Sequence, residues 1–183
     1  MTNSPLLTAK EEEDHHHQHQ LFSYKLISSD VQDALPDGYI IRPLQRDDYD
    51  KGFVKVLAQL STTGEISNEA FQARFDLMKR AGTYYIVCIE AEGIIVACAT
   101  LIVEHKFLHE CGQSGHIEDV VVDGTQRGKR LGIRLIDQLK HMAQAVGCYK
   151  IILDCLQHNV SFYERCGLEV SQVQMTHYFH TQH

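Results

Sequence analysis

His116-Ile117-Glu118-Asp119-Val120-Val121-Val122-Asp123-Gly124-Thr125-Gln126-Arg127-Gly128-Lys129-Arg130-Leu131-Gly132-Ile133-Arg134-Leu135 is a β-branched run that ends in a polar turn and opens directly into a helical pattern. A strand-turn-helix junction aims the free N–H groups and the positive dipole end of the helix at one point. Such a point suits a phosphate. Arg127 and Lys129 add charge there, and Gly128 and Gly132 let a ligand come close to the backbone. An ordinary strand-to-helix turn has the same outline, so this stretch alone leaves both readings open. It is not a Gly-x-x-x-x-Gly-Lys-Ser/Thr phosphate loop, and the three-glycine spacing of the dinucleotide fingerprint fails. Glu118 and Asp119 interrupt the apolar run. A buried carboxylate without a partner costs several kcal/mol, and strand alternation predicts the two on opposite faces of the sheet.

Working outward, Leu131, Leu135, Leu139, Met142 and Val146 share one face of the helix, and Gly147 is a stop signal. Tyr149 to Asp154 reads as the next strand. Residues 159–166 read as a short helix capped by Asn159 and closed by Gly167, and Glu169 to Tyr178 as a last strand. Upstream, Leu35-Pro36-Asp37-Gly38 is a turn and Tyr39 to Leu44 a first strand. Asp47 and Asp48 precede a helical pattern with Phe53, Leu57 and Leu60 on one face, and Ser67 caps a second helix with Phe71, Phe75 and Met78 on its apolar face. Thr83–Glu90 and Ile94–Glu104 read as a hairpin turning at Gly93. The order is strand, two helices, three strands, helix, strand, helix, strand. It implies an α/β (α+β) fold, a mixed central sheet with helices on both faces.

The 183 residues suit one domain, taken as 35–183, after a polar disordered tail at 1–34. That tail contains Glu11-Glu12-Glu13-Asp14 and a run with His15, His16, His17 and His19, a solvated low-complexity segment with at most loose metal affinity. Leu21, Phe22, Tyr24, Leu26 and Ile27 are its candidates for weak docking on the domain. The tail contributes two of the 17 basic and six of the 24 acidic side chains, so the formal −7 falls to near −3 for the domain. A mildly acidic domain argues against nucleic acid as main partner. The six cysteines form no Cys-x-x-Cys pair and read as reduced thiols of a cytosolic protein. No apolar run is long enough to span a membrane, and no secretory leader is evident.

Arg127-Gly128-Lys129-Arg130-Leu131-Gly132 resembles the acetyl-CoA pyrophosphate loop, Arg/Gln-x-x-Gly-x-Gly/Ala, of the GCN5-related N-acetyltransferases (GNAT), with Arg130 in place of the middle glycine. Asn159-Val160-Ser161-Phe162-Tyr163-Glu164-Arg165-Cys166-Gly167-Leu168 resembles the second signature of that family, Asn-x-x-(aromatic)-Tyr-x-x-x-Gly-(apolar). The two motifs occur in the family's order and element context. Asn159-Val160-Ser161 also fits a glycosylation acceptor, a coincidence in a chain without a secretion signal. His116–Val120, Gly147–Cys155, Leu35–Tyr39 and Glu104–His109 resemble the branch of the family that acetylates glucosamine 6-phosphate, and the likeness runs over residues 35–175.

The resemblance implies direct acyl transfer from acetyl-CoA to the sugar amine, giving N-acetylglucosamine 6-phosphate on the route to UDP-N-acetylglucosamine, by a homodimer without metal whose site is shared across subunits. By resemblance, Val120, Val121 and Val122 meet the acetyl and pantetheine arm through their backbone. Arg127, Gly128, Lys129, Arg130, Leu131 and Gly132 hold the pyrophosphate, and Asn159 completes the cofactor set. Tyr163 can protonate the departing thiolate, while Asp154 and Glu118 can orient the amine and take its proton. The substrate set is Ser61, Lys106, Phe107, Leu108, His109, Glu118, Asp119 and Val120, with Tyr149 and Lys150 from the partner subunit. The family places a basic residue late in its last strand, where this chain has His177 and no arginine. Cys111 and Cys155 have no paired His/Asp arrangement to support acyl-cysteine chemistry. Two other readings stay open: an acetyltransferase for another small amine or a protein N-terminus, and a non-catalytic acyl-CoA-binding regulator. The expected location is the cytoplasm, free or peripheral to an internal membrane.

Overall fold

The computed structural model describes residues 19–179. Strands β1 (Tyr39–Pro43), β2 (Tyr84–Ala91), β3 (Ile94–His105), β4 (Gln113–Val122) and β5 (Cys148–Ile152) form one sheet in that order. The first four are antiparallel neighbours, and β5 joins β4 in parallel. The β2–β3 hairpin turns on Glu92 and Gly93, both at positive φ. That turn geometry matches the right-handed twist of the strands. The helices are α1 (Ser29–Asp33), α2 (Phe53–Leu57), α3 (Asn68–Ala81), α4 (Leu131–Ala145) and α5 (Val160–Arg165). Helix α4 makes the crossover that a parallel β4–β5 pair requires.

The sheet is covered on both faces, as the element order implies. On one face Leu131, Leu135, Ile136, Leu139 and Met142 of α4 bury completely against Val87, Ile89, Leu101 and Ile117. On the other, Phe53 and Val56 of α2 and Phe71 and Phe75 of α3 meet Ile86, Cys88, Ile95, Cys98 and Val121. Ser67 caps α3 through the Ala70 N–H, and Gly82 ends it at φ +69. Helix α2 is shorter than the apolar spacing predicts, and Leu60 is exposed. Asp48 is a fully buried carboxylate, not a helix cap. It accepts two hydrogen bonds at 2.8 Å from the Arg42 guanidinium and one at 2.7 Å from the Gln45 N–H. Arg42 also pairs with Glu90.

Strand β4 carries a bulge. Thr100 faces Glu118 and Cys98 faces Val121, so Asp119 and Val120 share one position opposite Ala99, with Asp119 at φ +52. The β4–β5 ladder is short, running only to His116–Ile152. Beyond that pair the two strands part, and among the described residues the β4 backbone from Ile117 onward has no strand neighbour on that side.

Two expectations are corrected. The polar tail does not extend to residue 34: residues 19–34 pack on the domain. Leu21 and Val31 are buried, Leu21 N–H bonds Leu44 C=O, and Arg46 N–H bonds His19 C=O. The fully buried Gln138 of α4 accepts from Ser28 N–H at 2.9 Å and donates to Leu26 C=O at 2.8 Å. Gln32 caps the free edge of β1, donating to Tyr39 C=O and accepting from Ile41 N–H, both at 2.9 Å. Amide hydrogen bonds hold this segment together with the apolar packing of Leu21, Phe22, Leu26, Ile27 and Val31. Residues 1–18, including His15, His16 and His17, lie outside the described residues. The second correction concerns Glu169 to Tyr178, which form no strand and expose Val170, Val173, Met175 and Tyr178. A strand needs a neighbour to pair with, and among the described residues this segment has none. Of the cysteines, Cys88, Cys98 and Cys166 are buried, Cys111 and Cys155 are exposed, and all six are free. Among the described residues, no helix is long and apolar enough to cross a membrane.

Replacing Gln138 by Leu would strand the Ser28 N–H and the Leu26 C=O in a buried interface. The variant should lose about 2–4 kcal/mol in urea unfolding, at the known cost of orphaned buried amide groups. An unchanged midpoint would show that the N-terminal segment contributes nothing to stability.

Candidate active site

Where β4 and β5 part, a cleft of about 320 Å³ opens, lined by Val120, Val122, Gln126, Arg127, Gly128, Arg130, Leu131, Gly132, Asn159, Phe162 and Tyr163. Three elements build it. The β4 edge supplies unpaired backbone groups, the turn before α4 supplies N-terminal amides, and α5 supplies an aromatic wall. Arg130 precedes α4 and stands at φ +59, ψ +21. The left-handed backbone that a glycine supplies in the related pattern is therefore present here with an arginine. Arg127 and Arg130 are exposed and, among the described residues, neither has a partner. Gly128, at φ +83, would meet nothing with a Cβ, so its conformation is what requires glycine. Gly132 is different. A Cβ there would lie 3.2 Å from Phe162 Cζ, so this glycine admits the aromatic wall of the cleft rather than the ligand.

The structure brings together most of the expected cofactor set. Val121, expected to act through its backbone, turns its side chain into the core beside Cys98. Lys129 does not line the cleft; its ammonium rests on Tyr39 and Gln126. Asn159 makes no capping hydrogen bond at α5, contrary to expectation, and lines the cleft instead. Tyr163 is half-buried with its ring edge-on to Phe162, 5.0 Å between centroids. Burial pushes its phenol above the usual range, which keeps it protonated and able to donate.

Glu118, Asp119 and Asp154 form a carboxylate group beside the cleft. Contrary to expectation, Glu118 and Asp119 are solvent-accessible, and the bulge removes the simple alternation that assigned them to opposite faces. Partial desolvation raises the Glu118 pKa, and the charges of Asp119 and Asp154 raise it further. A carboxylate so placed prefers a proton or a cation nearby. A substrate ammonium supplies both the charge and the proton.

The expected substrate cations lie elsewhere. His109 stacks on Tyr149, with ring centroids 4.3 Å apart, and Lys150 reaches over the same ring. Lys106 pairs with Glu104 at 2.7 Å, and Glu104 also meets His116 Nε2 at 2.9 Å. Phe107 and Leu108 are exposed, and His109, Glu110 and Cys111 stand at positive φ in the turn that precedes β4. This cluster sits where β4 and β5 begin, whereas the cleft lies at the end of β4. Lys150 is level with Ser114, four β4 positions before Glu118 and six before Val120, roughly 13 and 20 Å at about 3.3 Å per residue. Ser61 is exposed in the loop after α2, and His177 packs on Phe179 in the extended C-terminal segment. Reasoning from sequence missed Gln126 and Phe162 as cleft residues. The aromatic position of the second motif was the available signal for Phe162.

Comparison with known proteins gives a consistent picture. The model of the Acetyltransferase (GNAT) family matches residues 44–168. Glucosamine 6-phosphate N-acetyltransferase 1 of Dictyostelium discoideum is 48% identical over 79% of this chain and 94% of its own length. Glucosamine 6-phosphate N-acetyltransferase of Arabidopsis thaliana is 41% identical over 79% of this chain and 99% of its own. The crystal structure of glucosamine-6-phosphate N-acetyltransferase from Arabidopsis thaliana superposes with a TM-score of 0.76 at 43% identity, covering 78% of this chain and 99% of that one.

The raised Glu118 pKa has a thermodynamic signature. The folded state binds this proton more tightly than the unfolded chain, so the associated stability is complete below the ordinary value of 4.5 and is lost as pH rises through the raised folded value. Glu118→Gln should therefore melt with wild type in acid and above wild type near neutrality. Equal melting temperatures across a pH series would remove the carboxylate repulsion.

Proposed function

Because this chain belongs to the GNAT acetyltransferases and, within them, to the glucosamine 6-phosphate N-acetyltransferase family, we propose that it transfers the acetyl group of acetyl-CoA directly to the amine of D-glucosamine 6-phosphate. The observation that carries this reading is the parting of β4 and β5, which leaves an unpaired backbone edge between an amide-rich turn and a protonated phenol. Bound acetyl-CoA supplies an activated thioester. Arg127, Arg130 and the amides of residues 128–132 suit its pyrophosphate, and the edge from Val120 to Val122 suits its pantetheine arm and developing oxyanion. Glu118 and Asp154 attract the substrate ammonium, and one of them takes its proton so that the neutral amine can attack. Tyr163 donates its phenolic proton to the departing sulfur.

The sugar phosphate meets cations from a second protomer in this reading. Within one chain His109, Tyr149 and Lys150 cluster where β4 and β5 begin, and the cleft lies toward the end of β4. A homodimer that sets these residues against the partner's cleft brings the two together. The exposed apolar segment from Val170 to Phe179 and the open edge of β5 support such pairing. With no arginine in that segment, Lys150, His109 and His177 are the candidate phosphate ligands, since Lys106 is neutralised by Glu104. Six free thiols fit a reducing compartment, and the cytosol is the proposed location.

Release of CoA from acetyl-CoA should require glucosamine 6-phosphate and should fail with glucosamine or glucose 6-phosphate. Release with other amines alone would assign a different acceptor, and tight acetyl-CoA binding without turnover on any amine would favour a binding module. Tyr163→Phe should lower kcat about a hundredfold, the usual size of a general-acid contribution. Co-expressed with an inactive Lys150→Met chain, it should recover about a quarter of wild-type activity, because half the dimers are mixed and each holds one intact site. No recovery would place the whole site in one chain.

A further inference from the structure

Tyr39 opens β1, outside both motifs and outside the cleft. Its hydroxyl nevertheless lies between two side chains of the turn before α4. It donates to Gln126 Oε1 at 2.6 Å and accepts from Lys129 Nζ at 2.5 Å, while Lys129 Nζ donates to Gln126 Oε1 at 2.7 Å. The ammonium also sits over the Tyr39 ring, 5.0 Å from its centroid. Three groups thus close a triangle that holds the Lys129 charge away from the cleft, although Gly128 and Arg130 on either side both line it. Tyr39 is itself fixed, through its C=O to Gln32 and its N–H to the Pro36 C=O. At the other end of the turn, Gln59 donates to Asp123 Oδ2 at 2.7 Å and accepts from Gly124 N–H at 3.0 Å. The turn is therefore anchored at both ends by side chains from distant elements. Between the anchors Gly128 adopts positive φ, and Arg130, just past Lys129, does the same.

We propose that Tyr39 and Lys129 are positioning residues for the phosphate-bearing arm of acetyl-CoA: they fasten the turn so that its amides face the cleft, and Lys129 does not itself contact the phosphates. This rests on the assignment of the cleft to acetyl-CoA. The physical basis is preorganisation. Amides aimed in advance bind an anion without an ordering cost, whereas an unfastened turn must be ordered by the ligand at the expense of affinity. A lysine that met phosphate directly would need its ammonium free, and here two oxygens and a ring face hold it.

The test compares acetyl-CoA with acetyl-pantetheine, which carries the same thioester and no pyrophosphate. Tyr39→Phe and Lys129→Met should each raise KM for acetyl-CoA by about five- to tenfold, the effect of one lost hydrogen bond to a charged group or its partner. The double variant should be no weaker than the worse single, because both remove one fastening. KM for acetyl-pantetheine and for the amino sugar should not move, nor should the melting temperature. Wild-type acetyl-CoA affinity in Tyr39→Phe, together with a large and salt-sensitive loss in Lys129→Met, would overturn the proposal in favour of direct contact. An equal loss with acetyl-pantetheine would also overturn it, by showing a general structural effect. Failure of the wild-type protein to bind acetyl-CoA in calorimetry would sink the cleft assignment itself, before any variant is compared.

Discussion

Asp119 has no cross-strand partner of its own, and much of the active region depends on that. Ile117 packs with Leu101 in the core under α4, and Val121 packs with Cys98 in the core under α2 and α3. In an unbroken strand, residues four apart share a face. The inserted residue reverses the phase between them, so one strand serves both cores. Bulges also bend the strand that carries them and end pairing locally. The β4–β5 ladder stops just before the bulge, and the freed backbone becomes the floor of the cleft. Glu118 and Asp119 are left at the surface beside it, where a cation can reach them.

The turn that follows adds a second constraint. Its backbone needs left-handed conformations at Gly128 and Arg130. For an arginine this costs about 1–2 kcal/mol. The strain is held in place by neighbours on both sides: the Tyr39 triangle at one end and the fully buried Leu131 at the other. In return, two unpaired guanidiniums face a cleft in a chain whose formal charge is −7. Local positive charge in an otherwise acidic molecule is what a polyphosphate ligand requires.

Apolar periodicity and turn residues made the elements from Tyr39 to Arg165 legible, because each buries a face against the sheet and obeys its own period. The two motifs located the cleft for a related reason: they describe backbone geometry, which is local. Interactions without a period were hidden. Residues 19–34 carry the composition of a tail, yet Gln138 and Gln32 bind their backbone across long sequence separations, and an amide on a helix face looks like any surface glutamine. The segment 169–178 has the composition of a strand without a neighbour among the described residues. The bulge at Asp119 and the direction of the Lys129 side chain were equally invisible, since one depends on register with β3 and the other on a tyrosine 90 residues away.

The two margins of the sheet are unlike. Gln32 occupies the donor and acceptor of β1 that would otherwise invite another strand, and residues 19–21 run alongside the chain just past it. Among the described residues, no strand pairs with the β5 margin. A sheet that can be extended from one side only cannot propagate: two copies meeting through their bare margins leave nothing but sealed ones outward. The amide that resembles a surface residue in the sequence thus acts as a seal on the β1 margin, and it leaves the β5 margin as the side on which this sheet offers its backbone.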